Sequence, residues 1–168
     1  KKRQLFALSI ALLSQGVPFL HAGQEFFRTK KGDGNSYKSA DEINRLDWDR
    51  KDAVQEAVDY VKGIISVRKH HQAFRFTEVE EIKKHVTFFR ETPTTIVYGL
   101  MNVSDYGPWR NILIIHHNGQ KEERIQLPHN GEEWEVIGYG DRISLTPIFS
   151  ATNEINIPLI STAILIQQ

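Results

Sequence analysis

Apolar and polar positions alternate in three different textures along the chain. Residues 5–13, LFALSIALL, are good helix formers and apolar nearly all round, which predicts a helix over 3–14 buried on several sides. Gln15-Gly16 ends it. Residues 17–22, VPFLHA, are mostly apolar and lie between two glycines, as expected of a strand buried on both faces in a parallel sheet. Pro18 sits at its start, where a missing donor does least harm. A helix followed at once by a buried strand predicts an α/β repeat.

From 23 to 50 the chain turns polar and keeps no period of 2 or 3.6; the turn formers of Lys30-Lys31-Gly32-Asp33-Gly34-Asn35-Ser36 mark a long loop. Loops of this length inside a domain are functional or disordered, and Tyr37, Leu46 and Trp48 favour a packed one. Helical spacing returns over 52–71, where Val54, Ala57, Val58, Val61, Ile64, Ile65 and Arg68 fall on one face. Arg68-Lys69-His70-His71 then sits at the negative end of the helix dipole. Beyond about Phe76 the texture is short β-rich runs, at 85–91, 95–102, 111–117, 124–128, 134–139, 143–149, 153–158 and 161–167. Thr92-Pro93, Asn118-Gly119 and Asn130-Gly131 are among the turn signals between them. Seven or eight closely spaced strands without an intervening helix predict an antiparallel sandwich. The boundary falls near residues 73–77, dividing the chain into 1–74 and 75–168.

Composition narrows the partners. The 21 basic and 21 acidic residues balance, so nothing points to nucleic acid or an anionic membrane surface, and the expected partner is neutral or small. The absence of cysteine excludes disulfides and thiolate metal sites. Lys1-Lys2-Arg3 before the apolar run imitates a secretory signal, but no small-residue cleavage site follows and another apolar segment comes next. That run is also far short of the roughly 20 residues that span a bilayer. The one methionine is Met101, and a lone helix and strand need partners, so the chain is expected to be part of a longer protein.

Residues 14–26, SQGVPFLHAGQEF, resemble the eighth-strand segment of the α-amylase superfamily, glycoside hydrolase family 13. The continuation FRTKKG at 27–32, NSY at 35–37 and DEINRLDW at 41–48 is similar to the type I pullulanases of that family, and IPLISTA at 157–163 resembles the last strands of their C-terminal sandwich. The resemblance implies an α+β chain: the end of a (β/α)8 barrel (helix, strand 8, loop, helix) over 1–74, then an all-β antiparallel sandwich over 75–168. It also implies a debranching hydrolase that cleaves α-1,6 linkages of pullulan, amylopectin or glycogen with retention. Such chemistry uses two carboxyl groups roughly 5–5.5 Å apart. In the family these groups, with a stabilising Asp, come from strands 4, 5 and 7, which have no counterpart here. No catalytic residue is therefore assigned, and the chain alone is expected to be inactive. The implied partners are an α-glucan and the remainder of the barrel, with no cofactor, metal, nucleic acid or membrane; the cytoplasm is the expected compartment, with secretion as the alternative.

Because barrel active sites form at the C-terminal ends of the strands, the resemblance puts the loop at 23–50 beside the cleft. Sugars are gripped by planar hydrogen-bonding groups and by aromatic faces. Arg28, Asn35, Tyr37, Asp41 and Asn44 supply these types and are the expected substrate contacts. Glu25 and His21 could serve as acid or base, but a hydrogen-bonding role at the strand end is the expectation. Asp47-Trp48-Asp49 offers a carboxylate pair, against Asp49 or Asp52 as helix caps. Asp33-Gly34-Asn35 echoes a calcium loop without its later ligands. His70-His71 and His116-His117 are neighbours that point different ways and so are not metal pairs. Tyr106, Trp109 and Trp134 are either core residues or a second sugar platform, the former being expected. Two other functions stay open: a non-catalytic carbohydrate-binding or structural sandwich, and another specificity of the same superfamily.

Overall fold

A computed structural model gives the structure of residues 1–128 and 130–168. Its centre is an antiparallel sheet in the order β1-β2-β3-β9-β5-β6, with β7 also paired to β5. The strands are β1 (Val86–Glu91), β2 (Thr95–Leu100), β3 (Asn111–His117), β4 (Glu123–Gln126), β5 (Glu133–Gly140), β6 (Arg142–Ile143), β7 (Phe149–Thr152), β8 (Glu154–Ile157) and β9 (Ser161–Gln167). β4 and β8 form a separate two-stranded sheet. Among the described residues five α-helices accompany them: α1 (Lys2–Leu13), α2 (Asp41–Asn44), α3 (Trp48–Asp52), α4 (Gln55–His70) and α5 (Val79–His85).

β3 and β9 lie at the middle of the sheet, and every one of their residues is buried. Period-2 alternation then serves two cores. Ile112, Ile114, Ile164 and Ile166 join Leu8, Leu12 and Leu13 of α1 and Tyr60, Val61, Ile64 and Val67 of α4. Leu113, Ile115, Ala163 and Leu165 join Ile125, Trp134, Ile155 and Ile157 on the opposite face, which the β4–β8 sheet covers. The large sheet is thus a middle layer between two helices and a small sheet.

Polar side chains fix α1 in that arrangement. The buried Arg68 guanidinium donates to Leu12 O (2.9 Å), Ser14 O (2.7 Å) and Gly16 O (2.5 Å), so a cation meets the carbonyls at and beyond the helix end. Ser9 Oγ lies 2.6 Å from Thr162 Oγ1, which is 2.9 Å from His116 Nδ1. His116 Nε2 is buried without a hydrogen-bond partner, and burial pushes this imidazole down to about 4. His71 Nε2–H donates to Trp109 O (3.0 Å) and its Nδ1 accepts from Ala73 N–H at 3.2 Å, which makes it a neutral core histidine held below its ordinary range by burial.

Several expectations need correction. Residues 17–22 form no strand and pair with none of the described strands, and Val17 and Phe19 are 98% and 85% exposed. α1 is covered on one side only, with Ala7, Ile10 and Ala11 facing outward. Residues 23–50 are not structureless, because α2, α3 and the short 3-10 turns Gln24–Phe26 and Ser36–Lys38 lie within or at the end of them. The cap at α3 is neither Asp49 nor Asp52; Asp47 accepts from Arg50 N–H at 3.0 Å. α5 interrupts the all-β region, with Glu80 and Glu81 in its first turn and Lys83, Lys84 and His85 in its last, the charge order that a helix dipole favours. The run 143–149 splits into β6 and β7 with a turn between, where Pro147 has no N–H for a ladder. By contrast, Trp109 and Trp134 are core residues as expected, 3% and 0% exposed, and the Tyr106 hydroxyl bonds Glu81. Among the described residues, no helix is long and apolar enough to cross a membrane.

Candidate functional site

The polar segment after α1 is built on a tight reversal. Gly23 adopts φ 92° and its carbonyl accepts from Arg28 N–H at 2.8 Å, while its own N–H donates to Glu25 Oε2 at 3.1 Å. A Cβ here would stand 2.7 Å from Arg28 Cβ, so the close approach needs glycine. Glu25 is thus occupied with a backbone amide two residues away. His21 is exposed, and its N–H donates to Gln24 Oε1 at 3.0 Å. Phe26 anchors the reversal as a fully buried ring, 6.0 Å from Trp48, which is itself 60% exposed.

The five expected site residues divide into two groups. The Arg28 guanidinium donates to Asn44 O and to Ala22 O (3.2 Å), and its Nε is buried without a partner. Asn44 Nδ2 donates to Ser36 O and Ser39 O, each at 2.8 Å, and its Oδ1 accepts from Lys30 Nζ at 2.6 Å. Both side chains therefore turn inward and tie the loop to itself. Asn35, Tyr37 and Asp41 face solvent, Tyr37 being 75% exposed with the Lys38 ammonium 5.4 Å from its ring centroid. Trp48 is also exposed, with one side against Phe26.

Asp33 belongs with the inward group. Its Oδ1 accepts from Asn35 N–H at 2.9 Å and its Oδ2 accepts from the Ser39 hydroxyl. That hydroxyl, helped by the Asn35 amide, holds the carboxyl below the usual aspartate range. Reading the sequence missed this role. The signal was present, since Asp followed two residues later by an amide it can accept from is a turn-forming pattern. Lys30 was also missed.

The β region between α5 and β6 matches a known family, described as “Pullulanase, all-beta domain”, over residues 82–142. The pullulanase of Bacillus subtilis (strain 168) is 43% identical over 130 residues, a stretch that covers 77% of this chain and 18% of that protein. The chain is similar to one part of the pullulanases. Among solved pullulanases, that from Bacillus acidopullulyticus superposes with a TM-score of 0.94 at 34% identity over 99% of this chain and 20% of its own. The type I pullulanase of Bacillus subtilis str. 168, complexed with maltose, gives a TM-score of 0.94 at 37% identity over 99% of this chain and 23% of its own. The chain thus spans about a fifth of the length of the pullulanases it matches. The superposition extends over α1 and the loop as well as the strands, so the Gly23–Asn44 segment belongs to what the chain shares with these proteins.

Proposed function

We propose that this chain is the C-terminal part of a debranching glycoside hydrolase that cleaves α-1,6-glucosidic linkages of pullulan, amylopectin or glycogen with retention. In this reading residues 1–74 are the end of a (β/α)8 barrel and 75–168 its C-terminal sandwich. The observation that carries it is the match of 99% of the chain to pullulanases, one of them solved with maltose. Val17 and Phe19 support the barrel assignment, because exposed apolar side chains in an extended segment are what a strand presents when its neighbours are not alongside. The attacking carboxylate and the general acid belong to the rest of the barrel, and this chain supplies the wall of the cleft.

Within that wall Asn35, Tyr37 and Asp41 meet the glucan, with Arg28 and Asn44 beneath them. Their exposure supports the first assignment, and the hydrogen bonds of Arg28 and Asn44 support the second. A Tyr face stacks on the apolar side of a pyranose, while carboxylate and amide groups bond its hydroxyls. The test is to offer the full-length enzyme pullulan and amylose separately and to identify the products. Cleavage of pullulan at its α-1,6 bonds, with amylose left intact, is expected; cleavage of amylose alone rejects the debranching assignment.

A further inference from the structure

We infer that Asp33 and Asn44 are positioning residues, which clamp the turn at 35–39 from two sides and so hold Tyr37 outward as a stacking face for a glucose ring. The inference rests on the proposed function and adds to it how the loop keeps its shape.

The turn has no apolar support: neither Ser36–Lys38 nor α2 contributes a buried residue. Hydrogen bonds must fix it instead. Asn44 grips both ends through Ser36 O and Ser39 O (2.8 Å each), and its remaining oxygen is held by Lys30 at 2.6 Å. Asp33 grips the same two ends through Asn35 N–H (2.9 Å) and the Ser39 hydroxyl. Two side chains thus bind each flank of a three-residue turn, and Tyr37 is its middle residue. With both Nδ2 hydrogens of Asn44 committed to carbonyls, that amide has no donor left for a sugar. Tyr37 is the opposite case, a large ring three-quarters exposed on a pinned backbone. A ring so held loses little freedom when a ligand stacks on it.

The test is a double-mutant cycle in the full-length enzyme, reading kcat and KM on pullulan for Tyr37→Ala, Asn44→Ala and both together. Tyr37→Ala is expected to raise KM up to about tenfold with kcat little changed, as loss of one aromatic contact would. Tyr37→Phe retains the wild-type KM. Asn44→Ala raises KM by a similar factor, and the double variant is no worse than Tyr37→Ala alone. Where Asn44→Ala does not fold, Asp33→Ala repeats the cycle from the other flank. Additive effects, or a wild-type KM in Tyr37→Ala, overturn the clamp. Loss of thermal stability with KM unmoved also overturns it, because that is a merely structural role. A wild-type enzyme that leaves pullulan intact removes the proposed function and this inference together, which is distinct from an active enzyme indifferent to the substitutions.

Discussion

Gly23 shows how one backbone position governs the candidate site. Its φ of 92° lies where residues with a Cβ are strained, and the nearest obstacle to a Cβ is Arg28 Cβ at 2.7 Å, an atom that cannot swing aside like a side-chain tip. The same guanidinium reaches Ala22 O and Asn44 O. Any shift of Arg28 would therefore travel to the turn that carries Tyr37. Gly23→Ala is expected to destabilise the chain by about 1–3 kcal/mol, read as a lower urea midpoint. An unchanged midpoint would show that the reversal relaxes freely.

Between elements, the join of α1 to the sheet is the place where pH should act. His116 faces Phe6 of α1, Thr162 of β9 and Tyr98 of β2, and the Thr162 hydroxyl in turn meets Ser9 of α1. It is buried and its folded-state value, about 4, lies below the ordinary histidine value of about 6.5. The unfolded chain therefore binds the proton more readily. Stability linked to His116 is complete above about pH 6.5 and is lost as the pH falls through about 4, by at most about 3 kcal/mol. Comparing unfolding free energies of the wild type and His116→Phe from pH 7 to 4 checks this: the gap between them should change with pH. A gap that stays constant contradicts a buried neutral imidazole. At this scale the sequence was legible where both neighbours of an element are in the chain, as for 111–117 and 161–167, whose apolar runs became the central strands. It failed at 17–22, since an apolar run cannot announce whether a partner strand stands beside it. It failed also at α5, whose seven residues are organised by charge order and not by an apolar stripe.

For the molecule as a whole, the two cores make the sheet a shared wall. Residues of α1 and α4 and residues of β2, β3, β5 and β9 belong to one apolar cluster, which seats the loop between the two helices on a rigid base. The loop's residue types could be read from the sequence, and the family resemblance added the expectation of a cleft beside it. The direction of each side chain could not: Asn44 reaches carbonyls 8 and 5 residues away, separations that no periodicity signals. The central claim is that this loop lines a glucan-binding cleft in the full-length enzyme. Amide hydrogen exchange of that enzyme with and without maltotetraose tests it most directly. Slower exchange over 33–44 in the presence of the sugar is the predicted result, and exchange there that is unchanged while other segments become protected would contradict the account.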